Sequence, residues 1–375
     1  MKQINSKAYN VQEDIIGRIT FGRNIFARAN NILVSGTIEK PAFGYCATIS
    51  TKMPKKEIAK PYCVVEDTEH FSEGDIVLIN PKGEVIFLYE IASFHNVLMA
   101  TEKCNHRCIM CPQPPVIQEK DKTSMNLKII SLLDRRTQEI GITGGEPTLI
   151  GDNLFLILTK IKERLPKTSI SILSNGVKFA DKNFALKLAK CHCLDLQIDI
   201  PLFSDIADEH NTIVGAKTFY KTVQGLYNLA LFHQKIGLRI VVHKKTYKRL
   251  PQIADFIYHN FPFVSQVAFM QMEITGLAKE NIDSLWIDPY DYNTELREAV
   301  LMLADRNMNP YIYNAQLCVL PDDIRNFAVQ SISDWKNIYL SDCEGCTLKN
   351  QCAGFFQSGI EMRSSHIQKV ETNYN

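Results

Sequence analysis

The chain has little that would suit a membrane or a nucleic acid. It contains 375 residues without a run of eighteen consecutive apolar side chains, and its first seven residues include no apolar signal core. Its formal net charge of +1 provides no overall field to attract nucleic acid or a lipid surface. We therefore expect a cytoplasmic protein that binds neither. The length allows about two to three domains.

Cysteine, by contrast, is frequent. The chain has eleven cysteines, and in a reducing compartment this number favours metal ligation over disulfides. Seven of them fall into two groups, one in the first third of the chain and one near its end. The other four lie among apolar or β-forming residues, where a free cysteine usually packs as a small hydrophobic side chain. These four are Cys46, Cys63, Cys191 and Cys193.

The first group has the spacing C-x3-C-x2-C and consists of Cys104, Cys108 and Cys111. Three thiolates in such a loop can bind three irons of a four-iron cluster, which leaves the fourth iron open to another ligand. Zinc is the alternative occupant, but it prefers four ligands and nothing nearby supplies the fourth. The spacing therefore favours an iron–sulfur cluster.

A second motif, Thr143-Gly144-Gly145-Glu146-Pro147, follows about thirty-five residues later. The paired glycines allow close approach of the backbone to a ligand. The carboxylate of Glu146 can accept hydrogen bonds from an ammonium group. An amino-acid-like cofactor meets both requirements.

With these two motifs the chain resembles the radical S-adenosylmethionine (SAM) superfamily. The resemblance implies that SAM binds the open iron of a [4Fe-4S] cluster through its methionyl amino and carboxylate groups. An electron from the cluster, supplied by an external flavodoxin or ferredoxin, then cleaves the sulfonium to a 5′-deoxyadenosyl radical. It also places Pro147 and Met110 in the cofactor site, with Met110 where the family more often has an aromatic residue.

The pattern of strands and helices predicts an α/β fold in three parts. Residues 1–95 read as a small β-rich domain, with a hairpin around the turn Pro81–Glu84. Residues 96–300 alternate strands with helices, which resembles the partial (β/α)6 barrel of radical SAM enzymes. The predicted strands are 97–101, 139–143, 169–173, 194–200, 238–243 and 267–272. Residues 301–375 form the third part.

Ligands of parallel α/β folds bind at the carboxyl ends of the strands, which selects further candidates. Ser174 and Asn175 follow the third strand and are predicted to contact the cofactor. Asp199 and Glu273 are candidates for catalysis on the substrate side. Arg239 is a candidate partner of the methionyl carboxylate, although a structural salt bridge explains it about as well.

The second cysteine group has four members, Cys318, Cys343, Cys346 and Cys352. Four thiolates can close a zinc site, so a structural zinc knuckle is a serious alternative. In a chain that also carries the first loop, the arrangement resembles the twitch domain, a shortened relative of the SPASM domain. That resemblance implies one auxiliary [4Fe-4S] cluster.

Segments such as Asn314–Cys318, Ser331–Asn337 and Gly354–Phe356 further resemble the HxsC-type maturase of His-Xaa-Ser peptide systems. This implies a radical SAM peptide maturase whose partners are a ribosomally made precursor peptide and a second radical SAM maturase of the same system. Two alternatives stay open. One is radical chemistry on a small metabolite, and the other is a non-catalytic zinc-binding scaffold.

Overall fold

The computed structural model describes residues 2–22, 28–36, 44–54, 59–330 and 337–371. The chain divides into two compact units. The first comprises residues 1–99, 121–142 and 156–169, and the second comprises residues 100–120, 143–155 and 170–375. Within the described ranges, no helix has the length and apolar character needed to cross a membrane.

The first unit contains a mixed sheet. Its strands are β1 (Gln3–Asn5), β2 (Lys7–Tyr9), β3 (Ile15–Thr20), β4 (Asn31–Ser35), β5 (Ala47–Ser50), β6 (Tyr62–Val64), β7 (Ile76–Ile79) and β8 (Glu84–Tyr89). Their spatial order is β1-β8-β7-β3-β4-β5-β6-β2. The antiparallel pair β7–β8 is the predicted hairpin, with Ile79 opposite Val85.

The two ends of this sheet meet at Ser6. β1 pairs with β8 at one end and β2 pairs with β6 at the other, yet Ser6 alone separates β1 from β2 in the chain. The sheet is therefore closed into a small barrel, which leaves few unpaired strand edges. Ser6 N donates to Gly83 O at 2.7 Å and fixes the closure.

Apolar side chains fill the interior of this barrel. Fully buried residues from most strands form one cluster that includes Ile19, Ile32, Ile49 and Val77. Cys63 belongs to the cluster and Cys46 packs against it, which agrees with their prediction as core side chains. Burial alternates along β8, whereas β5 and β7 are buried at every position, so both faces of these two strands are covered.

The second sheet follows the chain order. Its strands are β9 (Asn96–Thr101), β10 (Glu139–Gly144), β11 (Ser169–Leu173), β12 (Leu196–Pro201), β13 (Lys235–Val242), β14 (Gln266–Gln271), β15 (Pro310–Tyr313) and β16 (Ala328–Val329). The strands lie side by side in sequence order, and β11 to β16 pair in parallel. The six predicted strands are present. β15 and β16 were not predicted, and they extend the same sheet beyond residue 300.

Helices alternate with these strands as expected for βα units. They are α1 (Thr123–Leu132), α2 (Asn153–Arg164), α3 (Lys182–Ala189), α4 (Ala207–Val214), α5 (Phe219–Leu231), α6 (Leu250–Asn260), α7 (Gly276–Glu280), α8 (Ile282–Leu285) and α9 (Asn293–Asp305). The boundaries at residues 95 and 300 remain predictions, and residues 331–336 of the Ser331–Asn337 segment lie outside the described residues.

The two faces of the parallel sheet differ in character. One face carries fully buried apolar side chains such as Ile198, Leu238 and Phe269. The opposite face carries Asp199 and Arg239. Alternation along each strand creates this division, and it places polar groups on the inner surface that leads to the carboxyl ends of the strands.

Helix α5 buries one polar side chain together with its apolar face. Asn228 is buried, as are Phe219 and Leu226 of the apolar face. Its side-chain amide donates to Phe179 O and Ala180 O at 2.9 Å each. The helix therefore buries a polar group because the neighbouring turn offers two acceptors.

The closure of the barrel generates a prediction at Gly83. Its φ is +87°, and a Cβ there would come within 2.3 Å of Ser6 O. We expect Gly83→Ala to lower the free energy of unfolding by about 2–4 kcal/mol, since it combines backbone strain with a clash against rigid backbone. Urea unfolding followed by circular dichroism measures the change.

Gly36 provides the matched control for this experiment. A Cβ at Gly36 meets no described residue within 4 Å, and the φ of Gly36 is outside the left-handed region. Gly36→Ala should therefore change stability by no more than about 0.5 kcal/mol. Equal unfolding midpoints for the two variants would contradict the closure at Ser6.

Candidate active site

The cysteine loop begins after β9 and packs against the glycine motif, residues 143–147. Gly145 N donates to Thr101 O at 2.7 Å and Glu146 N donates to Lys103 O at 2.8 Å. A Cβ at Gly144 would come within 2.0 Å of Thr101 O, and a Cβ at Gly145 within 2.2 Å of Lys103 O. Both glycines are thus needed for close packing against the backbone that enters the loop, in addition to any approach to a ligand.

Glu146 is the most completely hydrogen-bonded acid of the site. Its side chain is 1% exposed. Oε1 accepts from Thr148 N at 3.0 Å, Thr148 Oγ1 at 2.6 Å and Ser174 Oγ at 2.8 Å. Oε2 accepts from Asn175 N at 2.6 Å. Burial raises the pKa of this carboxyl, and the donors act in the opposite direction.

These contacts connect residues that were predicted as cofactor-binding residues from separate parts of the sequence. Ser174 and Asn175, which follow β11, bind Glu146, which follows β10. Asn175 Nδ2 also donates to Asn105 Oδ1 in the cysteine loop at 2.6 Å. Pro147 is buried at the start of the 3-10 turn that Glu146 caps. The cofactor-binding candidates of β10 and β11 therefore form one cluster with the loop.

His106 is a buried residue of the cysteine loop that was not predicted from the sequence. This residue lies between the first two cysteines, is 5% exposed, and its Nε2 is 2.8 Å from Thr218 Oγ1. Burial lowers the pKa of His106 to about 4, so the ring is neutral. Arg107 N and Ile109 N donate to Val214 O and Ile213 O at 3.0 Å each, which ties the loop to the end of α4.

Met110 contacts apolar residues from several other strand ends. It is buried in a cluster with Phe203, Met272 and Leu285, against which Cys108 and Trp286 pack. On the other side of the loop, Leu277 N donates to Cys111 O at 2.9 Å. The loop is thus held by β10, by α4 and by the segment that follows β14.

The three thiols of the loop lie close enough to influence one another. Burial raises the pKa of Cys104 to about 11, and the negative charges of Glu146 and Cys111 add to this rise. Burial raises the pKa of Cys108 to about 12, with further contributions from Cys111 and Cys104. Three thiolates beside a carboxylate repel one another unless a cation is present. A metal that binds here must displace protons.

Asp199 and Arg239 lie on the inner face of the sheet. Asp199 Oδ1 accepts from Gln197 Nε2 at 2.8 Å and from Gln266 Nε2 at 3.3 Å. It lies over Gly237, where a Cβ would come within 2.1 Å of Oδ1. Asp199 therefore has the partners that a buried carboxylate requires.

Arg239 is on the neighbouring strand, and its Nε lies 3.3 Å from Met270 Sδ. Burial lowers its pKa, while the charge of Asp199 counteracts this effect. Glu273 follows β14 and is half-buried. The roles of Asp199, Arg239 and Glu273 stay predictions.

The four cysteines of the second group also lie near one another in the fold. Burial raises the pKa of Cys318 and of Cys352, and Coulombic interactions link these two with Cys343 and Cys346. Leu317 N and Gly354 N lie 3.4 and 3.5 Å from Cys352 Sγ, and Val370 N lies 3.4 Å from Cys346 Sγ.

N–H donors near sulfur suit thiolates that bind an iron–sulfur cluster, whose potential they tune. The first group has one such donor, His106 N, at 3.4 Å from Cys104 Sγ. The chemistry of both cysteine groups thus fits a cluster. Among the described residues, however, no three Cys, His, Asp or Glu side chains converge closely enough to hold a single metal ion.

A cavity opens between the two cysteine groups. It is lined by the ends of β13 to β15, the segment 285–292 and the C-terminal segment 355–363. Met272, Leu285 and Trp286 connect it to the cluster around Met110. On its other side Gln316 Nε2 donates to Gly354 O at 2.7 Å, two residues after Cys352.

Comparison with known proteins finds a similarity for the part of the chain that contains the first group. Residues 98–257 match the family model described as the Radical SAM superfamily. This match covers less than half of the 375 residues. It includes Cys104, Cys108, Cys111 and the Glu146 motif, which are the residues predicted to bind a [4Fe-4S] cluster and SAM. The α/β fold with its parallel sheet agrees with this similarity.

Curated relatives include GTP 3′,8-cyclases. The protein from Pasteurella multocida is 30% identical over 152 residues, which cover 39% of this chain and 44% of the relative. That from Limosilactobacillus fermentum is 26% identical over 187 residues, which cover 48% and 54%. The chain thus spans about half, or less, of the length of these relatives.

Solved structures with similar folds include two proteins with bound SAM. SuiB of Streptococcus suis has a TM-score of 0.49 and 16% identity, over 60% of this chain and 51% of SuiB. anSMEcpe has a TM-score of 0.44 and 18% identity, over 56% of this chain and 59% of anSMEcpe.

The hydrogen bonds of Glu146 generate a second prediction. In Glu146→Gln an amide NH₂ group replaces one of the two carboxylate oxygens. This NH₂ group faces a hydrogen-bond donor from which the oxygen had accepted. We expect a loss of about 1–3 kcal/mol in the free energy of unfolding of this unit, together with weaker SAM binding. Chemical denaturation and SAM titration of the reconstituted variant measure the two effects.

Asp152→Asn is the matched control, because Asp152 is exposed and its carboxylate pairs with Lys187, which is also exposed. This variant should change stability by less than about 0.5 kcal/mol and leave SAM binding unaltered. A Glu146→Gln protein that is as stable as Asp152→Asn and binds SAM equally well would contradict the central position of Glu146.

Proposed function

We propose that this protein is a radical SAM enzyme that modifies a ribosomally made peptide. The observation that carries the proposal is the convergence of the three-cysteine loop, the buried Glu146 and the Ser174–Asn175 turn at one edge of a parallel sheet. This edge is where enzymes of parallel α/β architecture bind ligands. When bound, the cluster and SAM supply the electron and the 5′-deoxyadenosyl radical.

The residues of the chain then orient the cofactor and exclude water. Cys104, Cys108 and Cys111 hold the cluster. Gly144 and Gly145 keep the loop against β10, while Glu146 fixes Ser174 and Asn175. The buried residues around Met110 close one side of the site. Such preorganisation keeps a reactive intermediate away from solvent, which is the contribution expected from the protein in cofactor enzymes.

The second cysteine group is proposed to bind an auxiliary [4Fe-4S] cluster. The amide donors at Cys346 and Cys352 support this proposal, because such hydrogen bonds stabilise ligating sulfur. Cys318, Cys343, Cys346 and Cys352 would hold this cluster, which would supply a second redox-active centre beside the substrate. An external flavodoxin or ferredoxin is the proposed electron donor to the first centre, and the cytoplasm is the proposed compartment.

Peptide modification rests on the resemblance to the His-Xaa-Ser maturases and on the chemistry of the cavity. The competing proposal is a reaction on a nucleotide, which the GTP 3′,8-cyclase relatives favour. A triphosphate carries several negative charges and needs several cationic or metal partners. Among the described residues that line the cavity, Arg363 is the one cation. We therefore favour the peptide.

Incubation with candidate substrates separates these two proposals. The protein, SAM and a reductant are mixed under anaerobic conditions either with a synthetic peptide of His-Xaa-Ser repeats or with GTP, and the products are analysed by mass spectrometry. A SAM-dependent mass change in the peptide alone supports the maturase. A change in GTP alone overturns it.

The third prediction concerns the first cysteine group. Wild-type protein should produce 5′-deoxyadenosine from SAM in the presence of reductant, and replacement of Cys104, Cys108 and Cys111 by alanine should abolish it. No nearby side chain replaces the lost ligands. Chromatographic quantitation of 5′-deoxyadenosine measures the effect. The control is Cys191→Ala, which should retain production; undiminished production in the triple variant would sink the assignment.

The fourth prediction concerns the second group. The triple-alanine variant retains Cys318, Cys343, Cys346 and Cys352, and should still contain about four irons per chain, with visible absorbance that bleaches on reduction. A structural zinc site would instead give about one zinc and no such absorbance. Metal analysis after anaerobic purification distinguishes the two, and stoichiometric zinc without iron would remove the auxiliary cluster.

A further inference from the structure

The cavity between the two cysteine groups contains a hydrogen-bond acceptor without a donor. Gln271 lines the cavity at the end of β14. Its Oε1 is shielded from solvent and accepts no hydrogen bond from any described residue. A buried acceptor left without a partner costs about 1–3 kcal/mol. A ligand that brings an N–H or O–H to this oxygen removes that cost.

Most of the cavity wall is apolar and aromatic, and Asn314, Gln316 and Arg363 are further polar residues of the lining. The apolar and aromatic residues include Met272, Trp286, Tyr292 and Phe355, all at least partly buried. Aromatic walls favour a flat ring, which can stack or meet them edge to face. The cavity therefore suits a ligand that has one ring and one hydrogen-bond donor. Ligand pockets typically combine apolar walls with a few polar groups that fix the orientation of the ligand.

Charge restricts the ligand further. The described residues that line the cavity include no Asp or Glu, and they include the cation Arg363. A positively charged ring would have no counter-ion there and would be repelled by the guanidinium. The cavity therefore suits a neutral ring.

We propose that this cavity binds a neutral heteroaromatic side chain of the substrate, with its ring N–H donated to Gln271 Oε1. The proposal rests on the proposed function only in taking the substrate to be a peptide. Gln271 then determines specificity, and it places the ring between the two cysteine groups. Trp286 lies in the cavity wall and reports on occupancy.

Fluorescence titration tests this assignment without SAM or reductant. The chain has two tryptophans, so Trp335→Phe leaves Trp286 as the single fluorophore. The probes are N-acetyl-histidinamide and the amide of N-acetyl-thiazolylalanine, whose ring lacks an N–H. At pH 8.5 the imidazole is neutral. We expect the imidazole probe to bind about five- to tenfold more tightly, as one hydrogen bond provides.

Three variants make the test specific to Gln271. Gln271→Leu should abolish the preference for the imidazole probe. Gln271→Glu keeps a hydrogen-bond acceptor and should retain the preference for the imidazole probe at pH 8.5. At pH 5.5 the probe is an imidazolium, and the negative charge of the new carboxylate should make this variant bind it more tightly than wild type does. Gln252→Leu, at an exposed position of α6, should behave as wild type.

Two results overturn the proposal. One is equal binding of both probes, or no binding of either, by wild type. The other is a preference that persists in folded Gln271→Leu. The titration needs neither SAM nor reductant, so it is independent of the SAM-cleavage assay. A protein that does not cleave SAM can still show the expected ring binding, and a protein that does not bind the ring can still cleave SAM.

Discussion

The buried carboxylate of Glu146 is the interaction on which the site depends. Removing a carboxylate from water costs several kcal/mol unless hydrogen bonds replace the lost hydration. Here four donors do so, and they belong to Thr148, Ser174 and Asn175. The carboxylate thereby joins the end of β10 to the end of β11. Asn175 extends the connection to Asn105, so the position of the cysteine loop follows from the position of this one side chain.

Close packing of the backbone supports the same arrangement. The glycines before Glu146 allow β10 to approach residues 101–103, and the backbone hydrogen bonds from Gly145 and Glu146 are possible only at that distance. A side chain at either glycine would separate the loop from the carboxylate. The motif therefore has a structural role in addition to its predicted role in ligand binding, and this structural role explains why two adjacent glycines precede the acid.

Spacing and periodicity predicted much of this structure. The six strands from β9 to β14 were found because each is a compact apolar run between helical segments. The cysteine loop and Glu146 were selected because short motifs carry chemistry at fixed spacing, and Ser174 and Asn175 because they follow a predicted strand. The structure brings these residues into contact, and their roles toward a cofactor stay predictions. The hairpin β7–β8 was predicted from its turn residues.

What the sequence could not predict depends on distant contacts. β15 and β16 are too short for a periodic signal and exist because they pair with an existing sheet edge. The closure of the barrel at Ser6 requires β1 and β2 to pair with strands far along the chain. Asn228 is buried because the turn at Phe179 and Ala180 supplies acceptors, and His106 is fixed by Thr218, more than a hundred residues away.

The charges around the first cysteine loop differ from those around the cavity. Around the first loop, burial raises the pKa of Cys104 and the negative charges of Glu146 and Cys111 add to this rise, so the region favours positively charged groups such as iron or an ammonium. The cavity beyond Met272 and Trp286 has no acidic lining among its described residues and includes Arg363. A positively charged group is therefore attracted to the first loop and repelled at the cavity. Electrostatics thus directs cations to the loop before any shape selection operates.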